Sequence, residues 1–206
     1  MQNFPVIVSF FTKNTPYQDE VKNLIASCEK FGLETSIDGV DSFGSWELNC
    51  SFKPFFLYQK LQELKKKVLW VDADAVFVRK PTPLDIFSAD LSVRINPELP
   101  DQHPSKVMSG TIFANYTDKS QELLRRWAQA CVKEMMREGR TEEFWEQTAL
   151  RDILISKNFD ADVRNLPLEY VKVAGHPSDE KRILDPIIEH HQASRRFKSS
   201  INGNNK

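Results

Sequence analysis

Apolar positions along this chain recur with two periods, one of strands and one of helices, and the two alternate. Residues 5–11 (PVIVSFF) are almost continuously β-branched or aromatic and read as a buried strand. Thr15-Pro16-Tyr17-Gln18 then offers a capping box with proline at the first helical position. Val21, Leu24, Ile25, Cys28 and Phe31 recur at helical spacing behind it, up to a terminating Gly32. Residues 33–37 (LETSI) predict a second strand, and Leu57, Leu61 and Leu64 a helix after Pro54. Residues 67–71 (KVLWV) close this series as a third strand.

The order β, α, β, α, β implies an α/β fold with a mainly parallel central sheet flanked by helices, and such sheets gather ligands outside the carboxyl ends of their strands. Further on, Asp118 to Gln121 reads as a second capping box, ahead of a helix carrying Leu123, Leu124, Trp127, Cys131 and Met135 that ends near Gly139. Thr141, with Glu142 and Glu143 in the first turn, predicts the start of another helix, with Phe144, Leu150, Ile153 and Leu154 on its core face. Residues 96–106 (NPELPDQHPSK) hold three prolines and no apolar period, so they read as a loop. Residues 1–198 are expected to form a single domain and residues 199–206 a frayed tail.

Charge and cysteines narrow the functional classes. A formal net charge of -1, from 28 basic and 29 acidic residues, supplies no overall positive field for nucleic acid. Three cysteines without metal-ligand spacing suggest reduced thiols in a cytosolic protein rather than a disulfide framework. No basic region precedes the first apolar run, which argues against a signal peptide, and no stretch is long enough to span a membrane.

Candidate chemistry begins where the third strand ends. In residues 68–81 (VLWVDADAVFVRKP), Asp72 and Asp74 lie between two apolar segments. Ionised carboxylates so close together repel, and burial worsens this unless a cation compensates. Hard divalent ions such as Mg²⁺ or Mn²⁺ take one or two carboxylates and complete their coordination with substrate phosphates and water, so the pair has a use in holding a metal against a diphosphate.

The same residues resemble the Asp-x-Asp motif of GT-A fold nucleotide-diphospho-sugar glycosyltransferases. Residues 52–61 (FKPFFLYQKL) are similar to the helix before that motif in glycogenin-like retaining transferases, 108–115 (MSGTIFAN) to the segment under the sugar, 143–150 (EFWEQTAL) to the Asp-Gln-x-x-Leu helix, and 185–196 (DPIIEHHQASRR) to the terminal strand with a metal-binding His. The resemblance implies Asp72, Asp74 and His190 as ligands of Mn²⁺ or Mg²⁺, with His191 the rival of His190, and Asp72 also reaching the donor ribose. It implies Ser109 and Gly110 beneath the donor sugar, Glu146 and Gln147 facing the anomeric carbon, Lys53 on the sugar or phosphates, and Arg195 and Arg196 on the diphosphate. Glu146 stands where the family has Asp, and the family's Lys-Pro-Trp segment has no clear counterpart, Arg195, Arg196 or Lys198 being its candidate substitutes. The implied partners are a nucleotide-sugar donor, UDP first, and a glycan, lipid or protein acceptor. A haloacid-dehalogenase-like phosphatase is the alternative enzyme, requiring a later acidic pair for which only Asp160 and Asp162 offer themselves. A non-catalytic sugar-nucleotide binder is the third reading.

Overall fold

The computed structural model describes residues 4–82, 85–139 and 142–203. A six-stranded sheet has the order β2-β1-β3-β6-β5-β7, built from β1 (Val6–Thr12), β2 (Thr35–Val40), β3 (Val68–Val71), β5 (Leu91–Ile95), β6 (Val107–Ala114) and β7 (Val163–Asn165). Pairing is parallel for β1 with β2 and β3 and for β5 with β7, while β6 runs antiparallel to both of its neighbours. The α/β architecture expected from the alternation is therefore present, with β6 as the reversed strand.

Strand β1 is apolar on both faces because both faces are covered. Val6, Val8 and Phe10 join Val68 and Trp70 in one core cluster, and Ile7 joins Leu69 and Val71 in the other. The first cluster takes its helical partners from α3 (Lys53–Leu64), α4 (Asp118–Met135) and α5 (Glu146–Ser156), and the second from α1 (Tyr17–Phe31). Helix α1 ends at Gly32, whose φ of 65° is the left-handed conformation that its missing Cβ permits. Cys28 and Cys131 are buried in these clusters and, with Cys50, are free thiols.

Several boundaries differ from expectation, each for a local reason. Helix α4 is capped by Thr117, whose hydroxyl accepts from the Ser120 amide, so Asp118 is its first residue and not its cap. Met136 caps the other end, and Gly139 lies beyond it in a turn. Thr141 lies outside the described residues, and α5 starts at Glu146 because the chain stays extended through Trp145 to insert Phe144 into the first core cluster. A short helix α2 (Trp46–Ser51), capped by Ser45, precedes α3. After a short helix α6 (Pro177–Arg182), helix α7 (Ala193–Gly203) continues through residues where a frayed tail was expected, and Ile201 on it is buried.

A second, three-stranded sheet sets up the site. Its order is β4-β9-β8, from β4 (Ala75–Phe77), β9 (Ile188–His190) and β8 (Lys172–Val173). Strand β4 leaves β3 through the turn containing Asp72 and Asp74, and its first residue, Ala75, pairs with His190. That register brings a histidine from the far end of the chain beside two carboxylates at the carboxyl end of β3.

Candidate functional site

A cleft of about 510 Å³ opens over the carboxyl ends of β1 and β3 and is bounded by α2, α5 and α7. Into one side project Asp72, Asp74 and His190, each offering one ligand atom within 4.8 Å of the others. The surrounding contacts commit one polar atom of each residue and leave another for a ligand. Asp72 Oδ1 accepts from Trp70 Nε1 at 2.8 Å and pairs with Lys53 Nζ at 3.0 Å. Asp74 Oδ2 accepts from the Ala193 amide at 2.6 Å, so this carboxylate tethers the first turn of α7. Among the described residues, Asp72 Oδ2 and Asp74 Oδ1 have no protein partner.

The tautomer of His190 follows from its neighbour. Thr111 Oγ1 lies 2.9 Å from His190 Nε2 and donates its only hydrogen to the Tyr170 carbonyl at 2.9 Å, so it accepts from Nε2–H. The lone pair of neutral His190 is therefore on Nδ1. Burial lowers the imidazole pKa, against the opposing pull of Asp72 and Asp74, which favours the neutral form that ligates a metal. A Cβ on Gly110 would lie 3.0 Å from His190 Cε1, 3.1 Å from Nδ1 and 3.4 Å from Asp72 Oδ2. Glycine at this position leaves room for the imidazole and carboxylate to converge. Two carboxylate oxygens and one imidazole nitrogen make a donor set suited to a divalent cation.

Behind Asp72 lies a buried ion network. Lys53 Nζ reaches Glu146 Oε1 at 2.8 Å, Ser109 Oγ at 3.3 Å and the Ser109 carbonyl at 3.2 Å, and Ser109 Oγ donates to Glu146 Oε1 at 2.7 Å. Burial would lower the Lys53 pKa, but Asp72 and Glu146 outweigh it and hold the ammonium well above the ordinary lysine value. Lys53 also sits 5.3 Å over the Trp70 ring. In this arrangement Lys53 ties three expected site residues together, and its charge is already matched by two carboxylates.

The remaining expected residues separate. Gln147 lines the cleft, and its Nε2 donates to the Pro104 carbonyl of the 96–106 loop at 3.0 Å. Arg195 lines the cleft as an exposed side chain. Arg196 does not; it pairs with Glu20 at 3.0 Å on the outer side of α7 and stacks over Phe197. His191 is exposed on that outer side, and its amide donates to the Asp74 carbonyl. Asp160 and Asp162 pair with Lys119 and Arg164 and do not line the cleft, so they complete no metal site with Asp72.

Residues not anticipated complete the cleft. Trp70 and Thr111 lie within stretches already singled out, and their signal is a polar group on an otherwise apolar strand, placed next to the carboxylate or glycine it supports. Tyr17, Trp46 and Trp145 also line the cleft, and with them Lys198, which the resemblance offers for the diphosphate and which lies over the Trp46 and Trp145 rings. Burial pushes the Tyr17 phenol well above its ordinary value, so it is a neutral hydroxyl, and it accepts from Trp46 Nε1 at 3.4 Å. Cys50, on α2, also lines the cleft, its thiol held protonated by burial.

Residues 51–193 match the sequence model of a family described as nucleotide-diphospho-sugar transferase. That stretch contains Lys53, the acidic pair, Ser109, Gly110, Glu146, Gln147 and His190, and ends before Arg195. No curated protein matches the sequence significantly. Among solved structures, the chain is similar to the crystal structure of a glycosyltransferase involved in the glycosylation of the major capsid of PBCV-1, with a TM-score of 0.65 and 13% identity over 97% of this chain and 98% of that chain. At that identity the likeness is one of fold. No helix among the described residues is long and apolar enough to cross a membrane.

Proposed function

Since the chain belongs to the nucleotide-diphospho-sugar transferase family and is by class a glycosyltransferase, we propose that it moves a sugar from a UDP-sugar to an acceptor hydroxyl in a metal-dependent reaction that retains the anomeric configuration. The observation that carries this reading is the convergence of Asp72, Asp74 and His190, with ligand atoms within 4.8 Å, at the carboxyl edge of a mostly parallel sheet. These three would hold Mn²⁺ or Mg²⁺, which when bound supplies Lewis-acid stabilisation to the negative charge of the departing diphosphate.

The protein's own groups do the rest. Thr111 keeps His190 in the tautomer with Nδ1 free, and Trp70 and Lys53 orient Asp72. Ser109 and Gly110 form the floor under the donor sugar, braced from below by Lys53 and Glu146. With Oε1 engaged by both Lys53 and Ser109, Glu146 supports that floor rather than supplying a free nucleophile. Gln147 lines the cleft with its Nε2 tied to the Pro104 carbonyl, and its amide assists an acceptor hydroxyl approaching on the face the leaving group vacates. Arg195, on the cleft side of α7, meets the diphosphate.

Thermal unfolding with UDP tests the core of this reading. With Mn²⁺ present, UDP at ~100 times its dissociation constant should add about 2.7 kcal/mol, and EDTA should remove most of that gain. Equal stabilisation with and without the metal would refute the site.

A further inference from the structure

Part of the cleft lining is aromatic. Trp46, the first residue of α2, and Trp145, the residue before α5, meet edge-to-face with ring centroids 6.3 Å apart at 75°. Lys198 of α7 lies 4.4 Å from the first ring centroid and 5.7 Å from the second, and is paired with Glu143. Trp46 is tied to Tyr17 through its indole N–H, while Trp145 is 38% exposed on the lip of the cleft.

We infer that this indole pair is the acceptor subsite, with Trp145 as its platform, and that the acceptor is a saccharide whose pyranose ring stacks on the indole. The inference rests on the glycosyl-transfer reading above and names the acceptor class for it. Three observations lead there. Two indoles meeting in the cleft wall, one of them 38% exposed, make an aromatic face that a ligand in the cleft can cover. The position of Trp145 is immediately before Glu146 and Gln147 in the chain, so a molecule resting on it can deliver a hydroxyl to the floor of the cleft. The third is the polar chemistry on the pair: the Lys198 ammonium, over both rings and paired with Glu143, sets a cationic donor and an anionic acceptor next to a ligand held by the indoles. A pyranose presents polarised C–H groups on its ring face, which suit the electron-rich indole, and hydroxyls at its edge, which suit an ion pair. A lipid chain would find charge where it needs apolar walls.

The test uses the full chain saturated with UDP and Mn²⁺, applied to an array of immobilised saccharides, alongside UDP titrations of the same preparations. The wild type should bind a subset of the array. Trp145→Ala should weaken that binding at least tenfold, Trp145→Phe should retain part of it, and UDP affinity should stay within twofold in both. Absence of array binding by UDP-loaded wild type, or array binding unchanged in Trp145→Ala, would overturn the saccharide platform. A parallel loss of UDP affinity in correctly folded Trp145→Phe would overturn it too, by giving the indoles to the nucleoside. Failure of the wild type to bind UDP with Mn²⁺ would instead remove the glycosyl-transfer reading itself.

Discussion

The two sides of the cleft are built in opposite ways. On the carboxylate side, the working groups come from one strand-turn-strand stretch and one paired strand, and each is held by contacts that leave a ligand atom free: Trp70 and Lys53 on Asp72, the α7 amide on Asp74, Thr111 on His190. On the aromatic side, Trp46, Trp145 and Lys198 are brought together from three separate segments and hold one another mainly through ring and cation–π contacts. Directional hydrogen bonds fix atoms to tenths of an ångström, whereas stacked rings tolerate sliding. The first side is suited to a ligand of fixed geometry, and the second to ring-shaped ligands that vary.

The largest effect should come from breaking the carboxylate side at its centre. Asp74→Asn keeps an oxygen to cap α7 but removes a charge from the donor set. Turnover of a UDP-sugar should fall on the order of a hundredfold to a thousandfold, and Mn²⁺ should no longer alter UDP-induced stabilisation. A variant with wild-type turnover would show that the acidic pair is only a solvated turn.

How much of this contrast was legible in the sequence follows from the same difference. The acidic pair stood out because both carboxylates lie within one local motif, and strand and helix periods were enough for the α/β order. His190 could be reached only through a resemblance, since its partnership with Asp74 depends on β9 pairing with β4 across more than a hundred positions of chain. The start of α5 was misplaced because Glu142 and Glu143 have the composition of a first helical turn, while the buried Phe144 keeps the chain extended. Lys53, which the resemblance places on the sugar or phosphates, is also paired with Asp72 and Glu146, and that pairing has no local signature because Glu146 lies on another helix. The aromatic side left no local signal: isolated tryptophans are usually core residues, and only the fold brings these two together.

The buried network offers a next, structural break. Lys53 and Glu146 side chains are 7% and 6% exposed, so removing either partner strands a buried charge. Lys53→Met should lower stability by about 3–5 kcal/mol, measured by urea unfolding. Adding Glu146→Gln should restore part of that loss, a non-additivity that two independent surface residues would not show. Equal losses that simply add would mean the network does not act as a unit.

A smaller, sharper effect is expected at Thr111. Thr111→Val keeps the shape and deletes the hydroxyl that accepts from His190 Nε2 and donates to Tyr170. Loss of such an orienting partner should weaken Mn²⁺ affinity by about tenfold to a hundredfold, read from the Mn²⁺ concentration needed for UDP stabilisation. UDP binding at saturating metal should be nearly unchanged. If metal affinity holds while binding at saturation falls, the hydroxyl serves the donor and not the imidazole.

The smallest effects should separate the two adjacent arginines of α7. Arg195 lines the cleft and Arg196 is turned outward to Glu20, in a pair where the arginine side chain is half exposed. An exposed ion pair of that kind contributes roughly 0.2–1 kcal/mol, so Arg196→Ala should lower stability slightly and leave UDP affinity alone. Arg195→Ala should weaken UDP binding by about tenfold, the worth of one charge-assisted hydrogen bond to a phosphate, with little change in the melting temperature. Added salt distinguishes a phosphate contact from an indirect effect: screening weakens UDP binding to the wild type more than to Arg195→Ala, because the variant has lost one of the charges being screened. Equal salt slopes for the two proteins would take Arg195 off the diphosphate, and a loss of UDP affinity in Arg196→Ala would mean that α7 turns its outer face into the cleft when the donor binds.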